Sequence, residues 1–305
     1  MNETQLLHEL TEVAERLTSR HYETCKPWYP HEYVPWSMGR DFEPGTKWSP
    51  EEMPVADSLR SALFVNLLTE DNLPYYFETI DRVFGHEGVW REWSHRWTAE
   101  EARHSIALRD FMTVTRMLDP HMLEDGRMMQ MSGGQVPDPH SPVDGFVYVA
   151  LQELATRIAH RNTGRYSDDP VADKIMIRIA ADENLHMVFY RDILAAALVL
   201  EPSATVCAIV DEVLAFQMPG AGIPGFVRKA AQIAKAGIYD IRVHRDEVLM
   251  PILRHWRIFE LTNLDEKAEA ARARLSEHLA KLEEAAKRFE ERMATSTVPR
   301  MTIGG

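Results

Sequence analysis

Apolar residues recur along most of this chain every three or four positions, which is the spacing of one face of an α-helix. Leu6, Leu10, Val13 and Leu17 form such a face near the N-terminus. Turn signals follow one another at intervals of about 20 to 30 residues, which favours long helices over strands. The pattern predicts an all-α protein with helices over residues 1–20, 56–84, 87–118, 142–163, 169–200, 203–217, 226–237 and 240–261.

The segments outside these helices differ in composition. Residues 25–55 are rich in Pro, Trp and Tyr and predict an extended wrap, whereas Gly and Pro residues predict a loop over 132–142 and a break over 218–225. Over 263–293, apolar residues at spacings of four and three lie between dense charges, which indicates an amphipathic helix that packs on the bundle or on a partner chain. Its apolar residues are Leu275, Leu279, Leu282, Ala286 and Phe289.

We expect a single domain over 1–305, because 45% apolar and 27% charged residues are typical of a folded chain with a sizeable core. In this interpretation, residues 1–55 form the N-terminal helix and the wrap, and 56–200 form the core of a bundle. Residues 201–262 add further helices, and 263–305 form the amphipathic helix and a loose tail.

Composition and charge narrow the classes of function. The longest apolar run, 193–200, is far shorter than the roughly 20 residues that cross a bilayer, and the N-terminus lacks a secretory pattern, so we expect a cytoplasmic protein without a transmembrane segment. A net charge of −13 argues against nucleic-acid binding. Because Cys25 and Cys207 have no cysteine neighbours, a metal would need histidine and carboxylate ligands.

Two short motifs carry the candidate chemistry. Glu101 and His104 form one Glu-x-x-His motif, and Glu183 and His186 form another. On a helix, residues three positions apart share a face, so each pair can bind one metal ion. A single motif of this kind is most often a solvated surface pair.

A second regularity strengthens the metal hypothesis, because a lone glutamate stands in an apolar helix before each motif. Glu70 precedes Glu101 by 31 residues, and Glu153 precedes Glu183 by 30. Burying an unpaired carboxylate costs several kcal/mol, so four such carboxylates call for bound cations. The alternative is a structural carboxylate network. One Glu from each of two helices plus two Glu-x-x-His motifs is the ligand set of ferritin-like bundles that bind two iron or manganese ions.

At these positions the chain resembles the soluble acyl-carrier-protein (acyl-ACP) desaturases, and closely their actinobacterial branch. The resemblance rests on the segments 69–75, 96–104, 152–156 and 181–186 and covers most of the chain. It implies an all-α, ferritin-like four-helix bundle core with additional peripheral helices. It also implies that two irons are bound, with Glu101 and Glu183 bridging them, by Glu70, Glu101, His104, Glu153, Glu183 and His186.

The resemblance implies further residues beside the metals. Asp182 matches an acid that is hydrogen-bonded to a ligand histidine, here His104, and Trp28 matches a tryptophan proposed to relay electrons through that acid. Thr156 matches a threonine near the oxygen site, and Trp97 is a further candidate. Two alternatives stay open: Trp28 as a packed aromatic of the wrap, and Thr156 as an ordinary helix threonine.

The implied activity is the dioxygen-dependent insertion of a cis double bond into an acyl chain on acyl carrier protein, with electrons from ferredoxin and its reductase. A homodimer is implied as well, and manganese is a possible substitute for iron. Gly145 and Phe146 are candidates for the lining of an apolar tunnel, and an acidic carrier protein could dock on a basic cluster such as Arg228, Lys229 and Lys235. Short loops over 41–52 and 132–142 leave chain length and double-bond position open.

Other functions fit the same ligands. One is a di-iron hydroxylase or N-oxygenase on the same bundle, and a second class is non-catalytic, either an iron store or a paralogue that binds acyl-ACP without turnover. The wrap with Trp28 and the position of Thr156 favour the desaturase. Histidines without paired ligand spacing, His21 and His160 among them, are interpreted as structural or surface residues.

Overall fold

The computed structural model describes residues 1–134, 136, 138–218, 220, 222–223 and 225–296. Those residues contain helices and turns and no strand. The wrap holds short 3₁₀ turns at Pro30–Glu32, Trp36–Met38 and Pro50–Glu52. The helices are α1 (Glu3–Thr24), α2 (Asp57–Glu70), α3 (Leu73–Phe84), α4 (Gly88–Val114), α5 (Pro120–Gly133), α6 (Pro142–Ser167), α7 (Pro170–Leu200), α8 (Pro202–Ala215), α9 (Phe226–Lys235), α10 (Ile241–Val243), α11 (Met250–His255) and α12 (Glu266–Ser296).

Two of the core helices, α6 and α7, begin where the sequence places capping residues before a proline. The Ser141 side chain accepts from the Asp144 backbone N–H at the start of α6. The Asp169 side chain accepts from the backbone N–H groups of Val171 and Ala172 at the start of α7. These side chains satisfy N–H groups that have no partner inside a helix, and the proline that follows needs none.

The predicted helix over 56–84 is wrong, because the chain forms α2 and α3 with a break between Glu70 and Leu73. The buried Asp71 carboxylate at this break accepts from Arg127 Nε at 2.6 Å. Arg127 belongs to α5, a helix that we did not predict. Gly126 of α5 lies so close to α2 that a Cβ there would meet Phe64 Cζ at 2.6 Å. The break therefore ends α2 directly after Glu70, and α5 covers it.

Helices α2, α4, α6 and α7 pack together as the bundle, and α6 and α7 form its most extensive contact. Helix α1 lies against α4 and α7, and α12 lies against α8. Between α10 and α11, residues His244–Leu249 form a π-helical segment that also contacts α6. The tail that we predicted to be loose falls largely beyond residue 296 and so outside the described residues. None of the described helices has both the length and the hydrophobicity needed to span a bilayer.

Candidate metal centre

Polar side chains that are almost completely buried lie at the centre of the bundle. Helix α2 supplies one, α4 supplies two, α6 supplies one and α7 supplies two. All six are at most 6% exposed to solvent, and they are Glu70, Glu101, His104, Glu153, Glu183 and His186. The structure therefore brings together the two glutamates and the two Glu-x-x-His motifs that are far apart in the sequence.

These six residues form two overlapping groups in which the ligand atoms lie within 4.8 Å of one another. One group consists of Glu70, Glu101, His104 and Glu183, and the other consists of Glu101, Glu153, Glu183 and His186. Both groups contain Glu101 and Glu183. Each group offers one imidazole and three carboxylates, and the two shared carboxylates lie between them.

Several atoms of the centre have the environment of metal ligands. His104 Nδ1 lies 3.3 Å from a Glu101 oxygen and 3.4 Å from a Glu183 oxygen. His186 Nδ1 lies 2.7 Å from Glu101 Oε1 and 3.5 Å from Glu153 Oε2. No hydrogen-bond partner of acceptable geometry is present for the Nδ1 atoms of His104 and His186, for Glu101 Oε1 or for Glu153 Oε2. Buried lone pairs that converge without donors between them fit a pair of bound cations.

The carboxyl groups of the centre differ in their tendency to ionise. Burial and the neighbouring Glu183 carboxylate raise the pKa of Glu101 and of Glu153. Burial opposes ionisation of Glu70 too, but the neighbouring imidazoles of His104 and His160 lower its pKa below its usual range. The centre thus holds more acidic groups than its own histidines can neutralise. Cations bound among these groups would displace their protons.

A carboxylate from α7 lies behind His104. Asp182 Oδ2 lies 3.4 Å from His104 Nε2 and accepts from Trp28 Nε1 at 2.7 Å. Arg103 donates to the same oxygen at 3.3 Å, and Arg178 pairs with the other one. Burial opposes its ionisation, but the hydrogen bond with His104 and the charges of His104, His186 and Arg178 together outweigh this and bring the pKa of Asp182 down to about 2. Trp28 thus contacts the acid with which the resemblance pairs it.

A second carboxylate, which we did not predict, lies behind His186. Glu100 Oε2 lies 2.9 Å from His186 Nε2 and also 2.9 Å from Nε2 of His21 in α1. Arg96 pairs with the other Glu100 oxygen. Burial opposes ionisation of Glu100, yet hydrogen bonds with the two histidines lower its pKa. No sequence signal points to His21, because it comes from a helix outside the bundle.

Three further side chains contact the carboxylates of the centre. Thr156 Oγ1 donates to Glu183 Oε2 at 3.0 Å, and it also lies 3.0 Å from the Gln152 carbonyl of its own helix. Trp97 Nε1 donates to Glu153 Oε1 at 2.8 Å. His160 Nε2 lies 2.8 Å from Glu70 Oε1. His160 could have been found in the sequence, because it follows Glu153 by seven residues and so shares its helix face.

Two small cavities near the centre share Tyr76 in their lining. The first, of about 10 Å³, is lined by residues of the centre together with Thr156 and Tyr76. The second is apolar, about 20 Å³, and is lined by Tyr76 again and by Gly145. Each has room for about one water. Phe146 does not line them, since its ring is fully buried against Phe84 with ring centroids 4.3 Å apart.

A much larger groove of about 730 Å³ lies on the outer side of α6 and α7. Its lining includes Glu247 as the single acid and five basic residues, which are Lys26, Arg157, Arg161, Arg165 and Arg178. Within the described part of the chain, no carboxylate lies within ion-pair distance of Lys26, Arg157 or Arg165. The groove is thus strongly basic on a chain whose net charge is −13.

The other predicted basic cluster lies on α9. Arg228 and Lys235 are exposed there, whereas Lys229 is half-buried with its ammonium 4.5 Å from the centroid of the Phe64 ring. The cluster is separate from the residues that line the large groove.

Comparisons with known proteins agree with this arrangement. A family model described as fatty acid desaturase matches residues 2–303. The chain is 45% identical over 300 residues to DesA1 of Mycobacterium tuberculosis, provisionally named as an acyl-ACP desaturase, covering 95% of this chain and 89% of that one. It is 32% identical over 257 residues to acyl-ACP desaturase 7 of Oryza sativa, a chloroplastic protein. The match covers 78% of this chain and 62% of that one. The X-ray structure of M. tuberculosis DesA2, also provisionally named as an acyl-ACP desaturase, superposes with a TM-score of 0.70. The two sequences are 28% identical, and the match covers 83% of this chain and 95% of that one.

Proposed function

Because this chain belongs to the fatty acid desaturase family, we propose that it introduces a cis double bond into an acyl chain carried on acyl carrier protein, using dioxygen and electrons from a ferredoxin. The observation that carries the proposal is the pair of overlapping His and Glu groups buried in the bundle. The names of the relatives as acyl-ACP desaturases support the carrier-bound substrate.

The six residues of the centre would hold two iron ions, with Glu101 and Glu183 contributing to both. Mixed carboxylate and imidazole ligands suit iron and manganese, so manganese is the expected substitute. The bound metals would supply what side chains cannot, the reaction of dioxygen with an unactivated methylene group. The converging atoms without hydrogen-bond partners support this assignment.

The surrounding residues orient the carboxylates of the centre. Thr156 holds Glu183 through its hydroxyl and faces the small cavity, so it lies where dioxygen would approach. Trp97 of α4 holds Glu153 through its indole N–H. Since neither cavity can accommodate an acyl chain as it stands, we propose that Tyr76, which lines both, moves when substrate enters.

Gly145 gives a direct test of this substrate route. A Cβ at Gly145 would lie 3.1 Å from Phe84 Cε1, and a larger side chain would fill the apolar cavity. We expect Gly145→Leu to reduce turnover of the longest substrates at least about tenfold, because the new side chain would occupy the space that the far end of a long acyl chain needs. Metal content should stay unchanged. Equal turnover of every chain length by the wild type and Gly145→Leu would place the substrate elsewhere.

The basic groove on α6 and α7 is the proposed docking face for the electron donor. Arg178 lines the groove and pairs with Asp182, which in turn faces His104. The groove is therefore connected to the centre through two side chains. An acidic ferredoxin is complementary to such a surface, and electrostatic complementarity mainly raises the rate of association.

Charge reversal in the groove tests this docking face. We expect Arg165→Glu to slow reduction of the protein by ferredoxin by roughly tenfold at low salt and to weaken its dependence on ionic strength. Reduction by dithionite, which needs no docking, should not change. Arg228→Glu on α9 is the matched control, an exposed arginine outside the groove. Equal slowing by both variants would contradict a specific role of the groove.

Mass spectrometry tests the proposed reaction itself. Acyl carrier proteins with acyl chains of different lengths are incubated in air with the iron-loaded protein, ferredoxin, its reductase and NADPH. Loss of two hydrogens from an acyl chain is the expected result, and incubation without air is the control. Gain of one oxygen would identify a hydroxylase instead, and no change with a filled metal site would favour a non-catalytic acyl-ACP-binding protein.

A further inference from the structure

His21 is the one histidine of α1 that reaches the bundle interior. It lies in the last turn of the helix, is 4% exposed, and stacks on the ring of His186 with centroids 5.8 Å apart. Its Nε2 lies 2.9 Å from Glu100 Oε2, the same oxygen that lies 2.9 Å from His186 Nε2. Two imidazoles from different helices therefore share one carboxylate oxygen.

This arrangement determines the orientation of His186. A carboxylate only accepts hydrogen bonds, so both Nε2 atoms carry the hydrogen and donate it to Glu100. In the neutral ring that binds a metal, the Nδ1 of His186 then carries the lone pair, and it is the atom that faces Glu101 and Glu153. Partners of this kind hold a ligand histidine in one tautomer and one ring orientation.

The two histidines of the centre are supported in parallel ways by the N-terminal segment. Trp28 donates to Asp182 behind His104, and His21 donates to Glu100 behind His186. In both cases an aromatic ring from residues 1–30 holds a carboxylate that belongs to a bundle helix. The bundle alone therefore does not complete the surroundings of either histidine.

We propose that His21 is a positioning residue that holds Glu100, and that Glu100 in turn orients His186. The Nδ1 of His186 then faces the metal that Glu101, Glu153 and Glu183 would also bind. This inference rests on the proposed metal centre. It assigns to α1 a role in metal retention at one half of the centre. The other half, around His104, does not depend on His21.

Titration of the metal-free full-length protein with Co²⁺, followed by visible absorption, tests this role without turnover. The wild type should bind two equivalents. His21→Phe keeps the ring but removes the donor, and we expect it to weaken one of the two equivalents by about 10- to 100-fold and leave the other unchanged. His21→Gln places an amide N–H near the position of Nε2 and should restore most of the affinity.

Leu17→Ala is the packing control, because Leu17 is buried on the same helix without contacting Glu100 through a hydrogen bond. It should lower the melting temperature and retain both Co²⁺ equivalents. Unchanged affinity in His21→Phe, or an equal loss in Leu17→Ala, would overturn the positioning role while leaving the metal centre in place. A third equivalent that only His21→Phe loses would make His21 a ligand instead. A wild type that binds no Co²⁺ would remove both the metal centre and this inference.

Discussion

Glu183→Ala is expected to abolish the binding of at least one metal ion and to lower turnover by at least about a hundredfold, because this carboxylate belongs to both groups of the centre. The bundle should still fold. In the metal-free state, burial penalises every charge in the centre, and like charges repel one another. Glu153→Gln keeps the volume and removes a carboxyl group whose pKa is raised by burial and by the Glu183 carboxylate, so it should melt at a higher temperature than the metal-free wild type. Metal analysis, turnover and thermal unfolding measure the three effects.

Glu212→Gln is the matched control for these glutamate variants. Glu212 lies on α8, where burial and the neighbouring Asp144 and Asp211 carboxylates raise its pKa to about 7. It is outside both metal groups, so its replacement should leave metal content and turnover unchanged. A Glu183→Ala protein that retains two metals and full activity would refute the ligand assignment.

Asp182→Asn should lower turnover by about 10- to 100-fold, which is typical when a carboxylate behind a metal-bound histidine is lost. The amide retains the shape of the side chain, but its –NH₂ group cannot accept from Arg178 or Trp28. The ring of His104 then loses its charged partner, and the proposed electron route from the groove loses its middle side chain. Stopped-flow reduction by ferredoxin and metal analysis separate the two contributions.

Asp192→Asn is the control on the same helix, since Asp192 pairs with Arg20 and lies outside both the centre and the groove. It should leave reduction and metal content unchanged. If ferredoxin reduced the Asp182→Asn protein as fast as the wild type, and the variant retained both metals, Asp182 would have only a structural role.

Much of this protein follows from local patterns in its sequence. Helical periodicity predicted the all-α fold, and Ser141 and Asp169 mark the starts of α6 and α7 because capping acts over two or three residues. The two Glu-x-x-His motifs, and the glutamates 31 and 30 residues before them, predicted that six distant residues meet in one bundle. Such motifs can be recognised in a sequence because the geometry of a helix puts residues three positions apart on one face.

Tertiary contacts decided the features that no local pattern encodes. The break after Glu70 depends on Asp71 meeting Arg127 of α5, and the support of His186 depends on His21 arriving from α1. The lining that the two small cavities share depends on where packing places the Tyr76 side chain. Asp71 and Arg127 are 56 residues apart, and His21 and Glu100 are 79 residues apart. Residues so far apart meet only when several helices pack, so their pairing produces no periodic pattern in the sequence. The chain by itself determined which residues can form a metal centre, and the packed structure decided which side chains hold and enclose it.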